Sequence, residues 1–360
     1  MLFTYKYIDN HPIYKLQEWI DHLFLEVWCK ADAAVDFDID MLEDDLKEIT
    51  LAIDHDERIK TDYFYGPIQE VYKLFQGFDA HTKTLLAKAY RHNNAVEDLC
   101  GQNGDCQPFY FKELTAISEP LHKALYNFNK HLFESVIKLK VVQEKLGCTM
   151  QDHYNDFMEE NDEGKCPFCG IGDMKGIYES RREAYDHYLP KGLYPFSAIN
   201  FRNLVPMCND CNSAYKLSKD PLYNKEKKMR RKAFYPFAVN KHPKIEIKLG
   251  FKKQFTDDTQ PEDLDIQLAA KDADEELSTW NDLFGIEERY KAKCLKKNEG
   301  KYWMQRILDE WRFYSTDPDS NTSIDRIVDK EIRIASTNLQ AEANFLKVAF
   351  LEGVRGQLKM

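Results

Sequence analysis

Hydrophobic positions in the first 160 residues recur at spacings of three and four. This spacing predicts amphipathic helices, because one face of an α-helix returns every 3.6 residues. The predicted helical stretches are 14–28, 41–53, 68–75, 85–99 and 118–146. Ser118 is the predicted N-cap of the longest helix, and Gly147 its predicted stop.

The pattern changes at Asn161, where turn residues, cysteines and short apolar runs replace the helical periodicity. Alternation in Lys244–Leu249 predicts a strand, and an acidic loop follows at Asp257–Asp265. Helical patterns then return at 277–290, 302–313 and 324–353, with a break at 317–321. We therefore predict a mainly α protein with a small α+β module, divided into regions 1–160, 161–250 and 251–360.

The composition is that of a folded globular protein, with 43% hydrophobic and 31% charged residues. No apolar run reaches the roughly 18 residues of a membrane span, and the first twelve residues lack the pattern of a secretory signal. We expect a cytoplasmic protein, in which nine cysteines do not form a disulfide framework.

Charge is distributed unevenly along the chain. The formal net charge is −11, yet Lys165–Lys232 holds fourteen Lys and Arg against seven Asp and Glu. A basic segment in an acidic protein indicates contact with a polyanion. The alternative is a basic face that only meets solvent.

Two C-x-x-C pairs, Cys166/Cys169 and Cys208/Cys211, are separated by 38 residues. Two such pairs are typical of a tetrahedral four-cysteine zinc site, which leaves no open position and is therefore structural. A single C-x-x-C could instead be a redox motif. The remaining cysteines are interpreted as buried or incidental thiols: Cys29, Cys100, Cys106, Cys148 and Cys294.

Two β-prone runs, 184–191 and 201–208, lie between the pairs, and a helix can begin at Asn209. Strand, strand and helix could bring Asp186, His187, Asn203 and Asn212 to one place. Taken singly, these residues are ordinary turn, cap and helix residues.

Together they are suited to phosphodiester hydrolysis. The carboxylate of Asp186 and the amide oxygen of Asn212 are hard ligands for Mg²⁺, which polarises a phosphate and stabilises a leaving oxyanion. His187 can take a proton from the attacking water, because the pKa of imidazole lies near neutrality. Asn203 can orient the loop or the imidazole without titrating.

Residues 165–235 resemble the HNH endonuclease family, in its zinc-stapled ββα-metal form with asparagine as the third member. The resemblance implies a metal-binding acid at Asp186, a general base at His187, an orienting Asn203 and a second metal ligand at Asn212. It implies structural zinc at Cys166, Cys169, Cys208 and Cys211. Asparagine in place of a final histidine favours Mg²⁺, with Mn²⁺ as the alternative.

The basic run 225–232 predicts contacts with the DNA backbone through Lys228, Arg230 and Arg231. Lys191 and Lys216 are closer to the predicted metal and are expected to contact the cleaved phosphate. The sequence shows no base-reading signature, so we expect weak or shape-based sequence preference. His153 and His242 flank the module and are interpreted as surface or core residues.

Two further phrases, Met150–Phe157 and Trp280–Tyr290, resemble bacterial anti-phage defence HNH nucleases. That resemblance implies a protein partner such as an ATPase or sensor subunit, which would dock on the helical regions. With one metal site per chain, paired DNA breaks would need a homo-oligomer or two successive nicks.

Three alternatives remain open. The module could be a non-catalytic zinc-dependent nucleic-acid binder, or the chain a structural subunit with a vestigial nuclease. Adjacent Asp186 and His187 argue against both, since binding alone does not need an acid beside an imidazole. A homing or restriction nuclease working alone would have an added base-reading domain.

Overall fold

The first 160 residues of the computed structural model fold into helices that pack around buried aromatic and aliphatic side chains. The structure describes residues 1–55, 62, 64–240, 242–316 and 322–357. The helices of this region are α1 Lys15–His22, α2 Asp44–Asp54, α3 Tyr65–Gln76, α4 Ala80–Asn94, α5 Val96–Gly101, α6 Phe111–Ile117, α7 Glu119–Glu134, α8 Lys140–Leu146 and α9 Met150–Glu160.

The predicted N-cap at Ser118 is confirmed, since its Oγ accepts a hydrogen bond from the Leu121 amide at 3.2 Å. The single predicted helix 118–146 is wrong. Helix α7 ends at Glu134, a 3₁₀ turn follows at Val136–Lys138, and α8 begins at Lys140. The reason is tertiary, because α8 packs against α2 and its predicted stop, Gly147, then adopts a left-handed conformation.

The middle of the chain contains two short antiparallel strand pairs. Strand β1 (Tyr185–His187) pairs with β2 (Leu204–Pro206), and β3 (Tyr223–Asn224) pairs with β4 (Met229–Arg230). Between the two pairs, Asp210–Lys216 winds as a π-helical segment. The predicted order of strand, strand and helix is confirmed.

The C-terminal region begins with strands β5 (Glu246–Phe251) and β6 (Leu264–Ala269), which pair in antiparallel fashion. The sequence predicted β5 but not β6, whose first two residues lie within the predicted acidic loop. The helices that follow are α10 Asp274–Phe284, α11 Ile286–Leu295, α12 Gly300–Ser315, α13 Ile324–Ser336 and α14 Asn344–Val354. The predicted break at 317–321 lies outside the described residues.

Two predicted C-terminal helices are each divided. The stretch 277–290 breaks at Gly285, whose φ of +58° starts a new helix axis, and 324–353 becomes α13 and α14. Helix α14 lies directly on β5, since a Cβ on Gly353 would come within 2.2 Å of the Leu249 carbonyl oxygen. In the part of the chain that the structure describes, no helix is long and apolar enough to cross a membrane.

Contacts cross both predicted region boundaries, whose positions remain a prediction. The Leu2 amide donates to the Pro167 carbonyl at 2.9 Å, and the Tyr5 amide donates to the Pro236 carbonyl at 3.0 Å. On the other side, the buried indole of Trp280 in α10 donates from Nε1 to the Phe168 carbonyl at 2.6 Å. The middle segment is therefore packed against both helical regions.

We predict that Trp280→Phe lowers the free energy of unfolding by about 1–2 kcal/mol, because it leaves the buried Phe168 carbonyl without its donor. Chemical denaturation of the zinc-loaded protein measures this change. Trp311→Phe, at a half-buried position of α12, is the matched control and should change stability less. Equal losses in the two variants would contradict a specific role for the indole N–H.

Candidate active site and metal centre

The four predicted zinc ligands are brought together. The sulfur atoms of Cys166, Cys169, Cys208 and Cys211 lie within 4.8 Å of one another, and all four residues are buried. Four sulfurs bound tetrahedrally at about 2.3 Å from zinc would be about 3.8 Å apart. The Cys169 and Cys208 sulfurs, at 3.9 Å, fit that spacing. The cluster can hold a zinc ion.

The backbone around the first cysteine pair, Cys166 and Cys169, passes close to the sulfur atoms of the cluster. The Gly170 amide donates to the Cys166 carbonyl at 2.7 Å, and the Gly172 amide donates to the Cys169 sulfur at 3.3 Å. A Cβ on Gly172 would come within 2.7 Å of the Cys208 sulfur. Glycine is therefore required where this loop passes the second pair.

Arg289 of α11 is a partner of the cluster that sequence analysis did not single out. Its Nη1 donates to the Cys211 sulfur at 3.1 Å, and its guanidinium lies 4.5 Å from the centre of the Tyr215 ring. A zinc ion with four thiolates carries excess negative charge, which a guanidinium in contact with one sulfur offsets. Arg289 lies within the stretch 280–290, whose resemblance to defence nucleases could have drawn attention to it. The Tyr290 hydroxyl of the same stretch also donates to the Cys169 carbonyl at 3.0 Å.

Asn203 lies just before β2 and is completely buried. Its Oδ1 accepts from the Leu189 amide at 2.7 Å, and its Nδ2 donates to the carbonyls of Leu189 at 3.0 Å and Ser197 at 3.1 Å. These bonds close both ends of the loop between the strands. Asn203 thus holds the loop beside His187.

The His187 side chain is held in one tautomer. Its Nε2 lies 2.8 Å from the Ala198 carbonyl oxygen, which can only accept, so Nε2 carries the hydrogen. Burial lowers the pKa of His187 to about 3, and the bond to Ala198 only partly opposes this shift. The imidazole is therefore neutral, with an unprotonated Nδ1, but burial makes it a weaker base than the near-neutral pKa expected from sequence.

Asp186 forms a buried ion pair with Lys216. Asp186 Oδ2 lies 2.7 Å from Lys216 Nζ, and the same ammonium donates to the His187 carbonyl at 2.9 Å. Burial raises the pKa of Asp186, while the Lys216 charge opposes the shift. Among the described residues, Asp186 Oδ2 has no hydrogen bond of good geometry. The Lys216 ammonium already lies against this oxygen, so a metal ion bound here would compete with that ammonium.

Asn212 lies on the π-helical segment, one turn before Lys216, and is half-buried. The backbone N–H of Asn212 donates to the Cys208 carbonyl at 3.0 Å, which ties the position of Asn212 to the cysteine cluster.

The five predicted phosphate-binding residues differ in their burial and in their contacts. Lys228 is exposed at the β3–β4 turn, and Lys191 is half-buried. Arg230 donates to Gln107 Oε1 at 2.8 Å, and the buried Arg231 pairs with Asp282 Oδ2 at 2.5 Å. Lys216 is completely buried. In this structure, Arg230, Arg231 and Lys216 therefore make internal contacts, and Lys228 is the one of the five that projects into solvent.

The two histidines that flank the module belong to the protein's own packing. His153 contacts the hydroxyls of Tyr14 and Tyr185, and burial lowers its pKa to about 3. His242 Nε2 lies 2.7 Å from the Tyr235 carbonyl oxygen. Both placements agree with the interpretation of these histidines as structural residues.

Comparisons with known proteins show similarity over a short part of the chain. The chain is 43% identical over 65 residues to Protein ea31 of Escherichia phage lambda, covering 18% of this chain and 19% of that protein. It is 34% identical over 68 residues to Septu protein PtuB of Bacillus thuringiensis, covering 18% of this chain and 25% of that protein. The matches thus span about a fifth and a quarter of these relatives. No family model matches the chain, and no solved structure matches it.

We predict that the purified protein carries about one zinc per chain and that Cys208→Ser loses most of it, because three thiolates bind zinc more weakly than four. Elemental analysis by mass spectrometry measures the zinc content. Cys148→Ser changes a half-buried cysteine outside the cluster and should keep the metal. Full zinc in the Cys208 variant would refute the four-cysteine assignment.

We predict that Lys216→Met destabilises the protein by about 3–5 kcal/mol, because it leaves the Asp186 carboxylate buried without a counter-charge. Adding Asp186→Asn should restore part of this loss, since the double variant has no uncompensated charge. Chemical denaturation of the two single variants and the double variant gives the coupling.

Lys219→Met is the matched control for this cycle, because Lys219 is an exposed lysine three residues from Lys216. We expect it to change stability little. Strict additivity of the Lys216 and Asp186 changes would show that the pair contributes no coupling energy.

Proposed function

We propose that this chain is a metal-dependent HNH-type endonuclease that hydrolyses DNA phosphodiester bonds. The observation that carries the proposal is a neutral imidazole, His187, next in sequence to a buried carboxylate, Asp186, whose Oδ2 lies 2.7 Å from the Lys216 ammonium. The strand–strand–helix order around these groups, beside a four-cysteine cluster, also supports it.

In this mechanism His187 is the general base. Its Nε2–H is held by the Ala198 carbonyl, so Nδ1 is left to accept a proton from the attacking water. Asn203 contributes by holding the loop that carries Ala198, through bonds to Leu189 and Ser197. The base is thereby oriented before substrate binds.

The carboxylate of Asp186 and the amide of Asn212 would hold a Mg²⁺ ion, with Mn²⁺ as the alternative. The fit rests on the donor chemistry, a carboxylate and an amide oxygen, and on the buried Asp186 Oδ2. When bound, the ion would polarise the scissile phosphate and stabilise the leaving oxyanion. The Lys216 ammonium supplies positive charge to Asp186 in the structure described here.

Zinc in the cysteine cluster would be structural. Four thiolates leave no open coordination position for water or phosphate. The cluster joins the first cysteine pair, which precedes β1, to the second pair, where the π-helical segment begins. It thereby fixes where Asn212 and Lys216 lie relative to Asp186. Loss of zinc would therefore act on the candidate site through its geometry.

We also propose that the protein acts in anti-phage defence with a protein partner, such as an ATPase or sensor subunit. The similarity to Septu protein PtuB supports this role. Protein ea31, a phage protein, matches over a stretch of similar length and does not itself indicate a defence role. The proposed role therefore rests on the PtuB match alone. The helical regions, which make up most of the chain, offer the surface for such a partner.

The test is cleavage of supercoiled plasmid by the purified protein in Mg²⁺. We expect His187→Ala to lower the rate by about 10²–10⁴-fold, the usual contribution of a general base, and EDTA to abolish cleavage. His81→Ala, at an exposed position of α4, is the matched control and should cleave like the unchanged protein.

Cleavage that survives His187→Ala would overturn the assignment of the base. Plasmid bound by all proteins but cut by none, with the defence partner and Mg²⁺ present, would favour the second candidate, a non-catalytic nucleic-acid binder. The buried ion pair of Lys216 with Asp186 is the observation that favours that candidate.

A further inference from the structure

The candidate catalytic groups are closed off from solvent. Asp186 is 7% exposed and His187 is 9% exposed, while Asn203 and Lys216 have no exposed surface. A base that activates water at a DNA backbone must reach both the water and the phosphate. In the structure described here, these groups cannot meet a double helix without a local change.

The end of helix α7 lies against His187. The Phe133 ring meets the imidazole edge-on, with ring centres 4.6 Å apart and planes at 68°. The next residue, Glu134, pairs with Lys191, with 2.9 Å between Oε1 and Nζ. The Lys191 ammonium is also 5.2 Å from the centre of the Phe133 ring. One turn of α7 thus contacts both a candidate catalytic residue and a predicted phosphate contact.

We propose that Phe133 and Glu134 form an autoinhibitory latch over the candidate nuclease site. Phe133 covers His187, and Glu134 neutralises Lys191, so the base and a phosphate-binding charge are blocked together. This inference rests on the proposed function, since it assigns His187 and Lys191 to the nuclease site.

The latch is built to open without unfolding the helix region. The Glu134 and Lys191 side chains are 45% and 34% exposed, and ion pairs at such positions are weak. A backbone phosphate competes with Glu134 for the same ammonium. Helix α7 ends at Glu134, and the buried Val136 and Ile137 anchor the chain just beyond it. Movement of the Phe133 and Glu134 side chains would release both contacts without unfolding α7.

The test measures how fast diethyl pyrocarbonate modifies the His187 imidazole, with peptide mass spectrometry to separate it from the other histidines. We expect Phe133→Ala to raise the His187 rate at least about fivefold, because the rate follows the population of the open state. Glu134→Gln should raise it by a smaller factor, about two- to fivefold, because an exposed ion pair contributes little.

Two matched controls use residues away from His187. Phe78→Ala removes another half-buried phenyl ring of the helical region, one that packs on Phe75. Glu144→Gln removes the acid of another exposed ion pair, with Lys140 on α8. Both should leave the His187 rate unchanged. The buried His153 on α9 reports on wider opening, since its modification rises if a variant opens beyond the α7 contact.

Unchanged His187 rates in both latch variants would overturn the latch. If Phe133→Ala also exposes His153, Glu134→Gln carries the test. Plasmid cleavage by the same proteins separates the two proposals. Faster modification without cleavage by any protein, with the defence partner and Mg²⁺ present, keeps the cover of Phe133 over His187 but refutes the nuclease and with it the autoinhibitory role. Cleavage with unchanged modification keeps the nuclease and refutes the latch.

Discussion

The gathering of four cysteines is the constraint on which the rest of the site depends. Cys166 and Cys169 precede β1, and Cys208 and Cys211 follow β2, so joining them closes a segment of about 45 residues into one unit. The C-terminal helices then attach to the same place. The indole of Trp280 and the hydroxyl of Tyr290 bond carbonyls of the first knuckle, and Arg289 bonds a sulfur of the second.

Burial has opposite effects on the two groups that would carry the chemistry. It lowers the pKa of His187, which keeps the imidazole neutral but weakens it as a base, and it raises the pKa of Asp186, which disfavours the charged carboxylate. Lys216 offsets that cost with a charge inside the protein. The same packing explains why the site is covered. In the latch proposed above, the α7 residues that cover His187 would also block its approach to a phosphate.

Much of the local structure follows from sequence alone. The helical character of the two end regions, the Ser118 cap, the β5 strand and the cysteine group were predictable, because each depends on periodicity, capping chemistry or ligand spacing within a short stretch. The division of 118–146 was not predictable, since Leu139 and Lys140 follow the same periodicity as their neighbours. Packing of α8 on α2 decides that break. Strand β6 was missed because its pairing with β5 spans an acidic loop.

The sequence by itself determined which residues could carry chemistry: four thiols at metal-ligand spacing, and an acid and an imidazole side by side. Only the tertiary structure decided what surrounds them. Lys216 and Arg231 appeared from charge to be phosphate contacts, yet packing buries both against acids of this chain. A charge count does not distinguish a solvated lysine from a buried counter-ion, because the difference depends on partners brought from distant positions. The contact of Phe133 with His187 likewise joins residues that are 54 positions apart, so the sequence alone does not predict it.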